Sequence, residues 1–296
     1  MDNTHPLFSI LIANYNNGKY LMDAINSVRQ QTYTNWEIII VDDCSTDNSR
    51  EVYQTLEQDP QIHIYYNEQN RGCGYTKRRC AELAQGELCG FLDPDDKLVL
   101  TALEKMVDVH VRYPNVSVVY SKAYYCDTDF NIIGEVSLPD FSNGETYFDY
   151  RWNGSMQLAT YKKSFYDKTE GVDARAYAGV DQDLYFKIEE VGDIYALDEF
   201  TYYYVTKGHE NSISTNVDTY GRLWYWNLVV RAEAAKRRGF DVHTVMQKDF
   251  DKVLENYLSR QIYEKELEIR SSLTYRLGKV IMRPLSWLRC LVHGNE

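Results

Sequence analysis

Long apolar runs are missing from this chain. No stretch approaches the ~18 apolar residues of a membrane span, and Phe8–Ala13, the apolar run nearest the amino terminus, is too short for a signal peptide. Paired cysteines are missing as well. Cys44, Cys73, Cys80, Cys89, Cys126 and Cys290 contain no CxxC spacing, which argues against a zinc ribbon and a disulfide framework and leads us to expect a reducing, cytoplasmic compartment. Positive charge is in deficit: 32 Lys and Arg against 44 Asp and Glu give a formal charge of −12. A general nucleic-acid binder needs a basic surface to neutralise phosphates, so that class is disfavoured, although a local basic patch is compatible with the balance. What is present is a 296-residue chain, 44 % apolar and 26 % charged, enough for a sizeable core in one or two domains. Its 26 tyrosines supply amphipathic side chains suited to clefts without naming a ligand.

The first hundred residues alternate short apolar runs with helical patterns, as βαβ units do around a mostly parallel sheet buried on both faces. Candidate strands are Phe8–Ala13, Glu37–Val41, Ile62–Tyr66, Leu88–Leu92 and Val116–Tyr120. Between them, residues 19–31 place Tyr20, Leu21, Ala24, Ile25 and Val28 on one helical face, and residues 74–84 and 98–112 repeat the pattern. His110 falls on the packed face of the last of these. From about 121 to 160 the pattern loosens into turns and short strands, with Asn143-Gly144 and Asn153-Gly154 as turn signals. After 216 helices return. The final stretch, 271–292, alternates Arg276, Lys279, Arg283 and Arg289 with apolar residues, and reads as a basic amphipathic helix for an anionic membrane surface or for a protein face.

In an open α/β sheet, ligands bind beyond the carboxyl ends of the strands. Two candidate strands run directly into carboxylates: Asp42-Asp43-Cys44-Ser45-Thr46-Asp47 after the second, and Asp93-Pro94-Asp95-Asp96 after the fourth. Ser45, Thr46 and Asp47 suit a helix start, which leaves Asp42 and Asp43 unexplained, since adjacent carboxylates repel unless a donor or cation offsets the cost. The second cluster, stiffened by proline, offers the oxygen-only donors that suit Mg²⁺ or Mn²⁺, and alone it would equally fit a solvated acidic turn.

The order of these motifs, SILIANYN, then DDCSTD, then GELCGFLDPDD, strongly resembles the family 2 glycosyltransferases with the A-type nucleotide-sugar fold, the inverting type that builds bacterial polysaccharides and other glycans. The resemblance covers roughly residues 7–215. It implies that Ala13, Asn14, Tyr15 and Asn16 lie at the nucleotide, Ala13 standing where proline is usual, and that Asp43 accepts the uracil N3–H with Tyr15 against the base. Asn70-Arg71-Gly72 followed by Lys77-Arg78-Arg79 matches the family's Asn-x-Gly and basic helix start, which implies that Arg71 and Lys77 face diphosphate, with Lys77 where arginine is usual. Asp93 and Asp95 would lie on the ribose and metal side, with Asp96 or Asp95 as the metal ligand. AGVDQDLYFKIEEVG resembles the segment that supplies the catalytic base, which implies Asp181 as base, Asp183 beside it toward the acceptor, and Val180 in place of the usual glutamate. His209, in a segment that closes over diphosphate, would complete the metal site. Apart from the resemblance, Trp152, beside Asn153-Gly154-Ser155, suits either an acceptor platform, since sugars stack on aromatic rings, or core packing.

The expectation is therefore a Rossmann-like, mostly parallel sheet of the A type: residues 1–100 bind the nucleotide sugar, 101–215 bind the acceptor and carry the base, and 216–296 form a helical extension. The expected reaction is a single, non-processive, metal-dependent transfer from a UDP-linked donor to a hydroxyl of a glycan or lipid-linked acceptor, with peripheral contact to the inner membrane face. A non-catalytic nucleotide-binding module is the rival that Val180 and Ala13 keep open. A nucleotidyltransferase is disfavoured because SILIANYNNG lacks the Gly-rich basic loop that class places after its first strand.

Overall fold

The computed structural model describes residues 5–136, 138, 146–150, 157–207 and 220–251, together with 259 and 265. Trp152, His209 and the basic stretch 271–292 lie outside the described residues. The chain divides into two compact units, Met1–Phe240 and Asp241–Glu296. In the second, residues 242–251 are helical, and the Asp241 carboxylate accepts from the Thr244 N–H at 3.1 Å as an N-terminal cap.

The first unit is built on one nine-stranded sheet. Four strands form its parallel half: β1 (Phe8–Asn14), β2 (Trp36–Asp42), β3 (Ile62–Tyr66) and β4 (Leu88–Phe91), in the order β3-β2-β1-β4. β1, β2 and β4 are largely apolar without alternation because both faces are covered, whereas β3, at the sheet edge, is only partly buried. Ile10, Ile12, Ile38 and Ile40 pack in one core with Leu21, Ile25 and Val28 of α1 (Gly18–Arg29) and Leu103 and Met106 of α4 (Ala102–Arg112). Leu11, Ile39 and Val41 are buried as well, and α3 (Cys73–Leu83) packs on β1 and β2. A short α2 (Ser49–Gln54) precedes β3. His110 sits in the packed face of α4, its Nε2 2.9 Å from Thr160 Oγ1.

Because the chain passes from β1 outward to β2 and β3 and then returns to the other side of β1 for β4, the sheet has a switch point between β1 and β4. That is where such sheets open a crevice at their carboxyl ends. Beyond β4 lie β8 (Gln157–Lys162), antiparallel to β4, then β6 (Val116–Asp127), β9 (Asp193–Lys207) and the two-residue edge β5 (Lys97–Leu98), with β7 (Ile132–Val136) paired to β6. Loosening was expected from residue 121, but β6 continues to Asp127. Ala123 and Tyr125 keep contributing to the core side at alternate positions, and β7 and β9 pair with the extension.

Between β7 and β9 in sequence come α5 (Tyr147–Tyr150), before β8, and α6 (Lys163–Tyr166) and α7 (Val180–Glu189), after it. The helix α8 (Tyr220–Arg237), expected in the C-terminal extension, belongs to the first unit. Its Arg231 is buried, donates to the Phe148 carbonyl at 2.6 Å and lies 4.2 Å from the centre of the Phe148 ring. Those contacts offset part of the cost of burying its charge.

Candidate functional site

The loops that leave β1 and β2 are tied to each other by side chains. Asn14, buried at the end of β1, donates through Nδ2 to Ser49 Oγ (2.9 Å) and Tyr53 Oη (2.7 Å). Asp42 accepts from the Tyr53 hydroxyl at 2.7 Å and from the Ser45 N–H at 2.9 Å. Burial, reinforced by Asp42, holds the Tyr53 hydroxyl well above its ordinary range. Asn16 adopts a left-handed backbone, φ 55°, which asparagine tolerates better than most residues. Its Oδ1 accepts from the Thr46 N–H (2.8 Å) and its own N–H donates to Ser45 Oγ (2.9 Å). Asn14 and Asn16, both expected at the nucleotide, thus hold protein to protein. Tyr15, between them, is 46 % exposed, and Ala13 is half-buried within β1.

Asp43 has a different environment from Asp42. It is 3 % exposed, and its oxygens accept from Asn67 Nδ2 (2.7 Å), the Arg71 N–H (2.8 Å) and the Gly72 N–H (2.8 Å). Gly72 has φ +86°, a conformation that costs glycine little and other residues much. Asp43 therefore clamps the Asn70-Arg71-Gly72 turn that starts α3. A carboxylate has about four acceptor sites, so a further donor can be taken. Arg71 itself is exposed, with its guanidinium 4.4 Å from the centre of the Tyr75 ring.

Of the three consecutive basic residues on α3, only Lys77 reaches the acidic centre. Arg78 pairs with Glu82 at 2.8 Å and donates to the Val172 carbonyl at 3.1 Å, and Arg79 donates to Tyr66 O and Asn67 Oδ1. Lys77 is 5 % exposed, and its ammonium lies 2.9 and 3.0 Å from the two Asp181 oxygens and 3.2 Å from Asp93 Oδ1. Burial alone would depress its pKa. Asp181 and Asp93 outweigh that and hold it well above the ordinary lysine range. Asp93 follows β4, Asp181 opens α7 and Lys77 rides on α3, so three distant segments meet at one charge.

Gly74 makes this meeting possible, and sequence reasoning missed it. A Cβ there would lie 2.4 Å from the Asp173 carbonyl oxygen and 2.5 Å from that of Ala176, and the Gly74 N–H donates to Ala176 O at 3.0 Å. The first turn of α3 thus presses directly on the segment that leads into α7. The available signal was a glycine inside an otherwise helical pattern, which marks close packing.

The remaining carboxylates separate by orientation. Asp96 is 1 % exposed and accepts from the Tyr202 hydroxyl and the Val205 N–H, both at 2.8 Å. Burial first, and then Asp95 and Asp93, push its carboxyl well above the usual range. It anchors the acidic loop to β9. Asp95 is half-buried, and burial together with Asp93 raises it to about 7. Asp183, two residues beyond Asp181 and so on the other side of α7, is buried and paired with Lys187 at 2.6 Å. It faces the interior and not the cleft of Asp93 and Asp181. Val180, in the place of the family's usual glutamate, is buried.

Asp93 and Asp95, two residues apart in the loop after β4 and both partly exposed, offer an oxygen-only donor pair, and this chemistry fits a hard divalent cation. Among the described residues no three His, Cys, Asp or Glu side chains converge into a closed cage, so such a cation would take further oxygens from a ligand. Among the described residues, no helix is long and apolar enough to cross a membrane.

A family model described as Glycosyl transferase family 2 matches residues 9–169. The chain is 42 % identical over 109 residues to the putative teichuronic acid biosynthesis glycosyltransferase TuaG of Bacillus subtilis, over 36 % of this chain and 43 % of that protein. It is 29 % identical over 215 residues to chondroitin synthase of Escherichia coli, over 70 % of this chain and 30 % of that one. The chain thus spans less than half the length of these relatives. A structure of S. aureus TarS 1–349 in complex with UDP-GlcNAc superposes with a TM-score of 0.60 at 21 % identity, covering 77 % of this chain and 66 % of that chain, a likeness of fold. With its A-type sheet and a family match over more than half its length, the chain belongs to glycosyl transferase family 2.

Proposed function

We propose that this glycosyltransferase moves a sugar from a UDP-linked donor to a hydroxyl of a glycan or lipid-linked acceptor, with inversion, in bacterial cell-surface polysaccharide synthesis. The observation that carries this reading is the convergence of Asp93 and Asp181 at Lys77, on the same rim of the sheet as Asp43 and Tyr15. Asp43 accepts the uracil N3–H with its remaining acceptor capacity, a donor that cytosine lacks, and exposed Tyr15 lies against the base.

Asp181 takes the proton of the acceptor hydroxyl as that oxygen attacks the anomeric carbon, in one displacement. Asp95 with Asp93 would hold Mg²⁺ or Mn²⁺, which when bound neutralises charge developing on the departing UDP. Asp96, turned into the fold, positions that loop. TuaG, named for teichuronic acid biosynthesis, and the colanic acid biosynthesis transferase WcaA of E. coli, 34 % identical over 123 residues, support the polysaccharide context. The basic stretch 271–292 would bring the enzyme to an anionic membrane where lipid-linked acceptors lie.

The test is calorimetry with UDP and GDP, with and without Mn²⁺, followed by UDP release from a panel of UDP-sugars. Metal-dependent binding of UDP in preference to GDP, and turnover cut at least about 100-fold by Asp181→Asn without weaker UDP binding, are expected. If neither nucleotide bound, a non-catalytic module would replace this reading.

A further inference from the structure

We infer that Lys77 is a shared counter-ion: it holds Asp181 and Asp93 while the donor is absent and passes to the diphosphate when the donor binds, releasing Asp181 to work as a base. The inference rests on the proposed UDP-sugar transfer and adds a positioning residue that couples donor binding to base activation.

The ammonium contacts both oxygens of Asp181, at 2.9 and 3.0 Å, and one of Asp93 at 3.2 Å. With both oxygens in hydrogen-bond contact with a buried ammonium, Asp181 is engaged by protein rather than facing an open site, and this arrangement restrains it. The two carboxylate side chains are each 44 % exposed while the lysine side chain is 6 % exposed, so the pair opens outward with the cation behind it. A diphosphate arriving there meets two negative groups and one cation, and it offers that cation more charge than Asp181 does.

The backbone below Lys77 is held at two points. Asp43 clamps the turn before α3, and Gly74 is wedged against residues 173–176. The exchange therefore falls to the four-carbon lysine stem, which is flexible and carries its charge at a point, whereas an arginine fork grips a carboxylate in fixed geometry.

The test is a double-mutant cycle in UDP affinity, measured by calorimetry in Mn²⁺ on the full chain: wild type, Asp181→Asn, Lys77→Met and the double variant. Asp181→Asn removes a competitor for the ammonium, so UDP should bind about tenfold more tightly, the worth of one charge-assisted hydrogen bond. In the Lys77→Met background the same change should alter affinity by less than about twofold, because no shared cation is left to release. Lys77→Gln gives the same comparison should Met at this position prevent folding. An equal gain in both backgrounds would show simple repulsion by Asp181, and no gain in either would show that Lys77 is not shared; each overturns the inference. Failure of wild type to bind UDP at all would instead overturn the donor assignment, and the inference with it.

Discussion

Asp43→Asn separates the clamp at Asp43 from a mere preference for negative charge. The native carboxylate accepts from three N–H groups, on Asn67, Arg71 and Gly72, at 2.7–2.8 Å. An asparagine offers one acceptor oxygen and one NH₂ group. With its oxygen toward Asn67 and Arg71, the NH₂ faces the Gly72 N–H, donor against donor; turned over, it faces two donors and keeps one. Asn67 cannot reverse to help, because its Oδ1 already accepts from Arg79 at 2.5 Å. One charge-assisted bond is lost and the Gly72 N–H keeps only Asn70 Oδ1, at 3.1 Å, a cost of about 2 kcal/mol. For a cooperative unit the size of residues 1–240, that is a fall of roughly 4–8 °C in Tm. Thermal melts and urea titrations followed by near-ultraviolet circular dichroism measure it, and UDP binding should be lost with it. A variant that melts within about 1 °C of wild type would refute the clamp and return Asp43 to the status of an uncommitted surface acid.

Asp95→Asn should abolish the Mn²⁺ dependence of UDP binding while Asp96→Asn retains it, since Asp96 is engaged by Tyr202 and Val205; calorimetry on the two variants decides which carboxylate serves the metal. Gly74→Ala should cost about 3 kcal/mol or more in urea stability, because the added methyl meets two backbone carbonyl oxygens and overpacking against backbone cannot relax cheaply. His110, buried beside Thr160 and near Lys162, titrates at about 3 in the fold because burial disfavours its charged form, against about 6.5 when unfolded. The unfolded chain therefore binds the additional proton as pH falls from about 6.5 toward 3, and stability declines across that window. Between pH 6.5 and 5 the loss should be about 2 kcal/mol in urea titrations, and His110→Gln should flatten that part of the acid limb.

The parallel half of the sheet was legible because a strand covered on both faces writes itself as an unbroken apolar run. Phe8–Asn14 and Leu88–Phe91 stand within a residue of expectation for that reason. β9 escaped detection: Asp193–Lys207 carries Asp198, Glu199 and two pairing shifts against β6 within a few residues, so its alternation breaks before a period can be read. In the site, sequence located each carboxylate cluster but not the division of labour inside it. Neighbouring side chains on a strand end or a helix start point to different sides, so within each cluster one acid turns inward and another faces the cleft or ligand loop. Which is which depends on partners far along the chain: Asp96 turns inward because Tyr202 and Val205 receive it. Asp183 is the exception that local reading can reach, since Lys187 stands four residues on, one helical turn away, a spacing that favours pairing the acid within its own helix and leaves Asp181 as the acid on the cleft side.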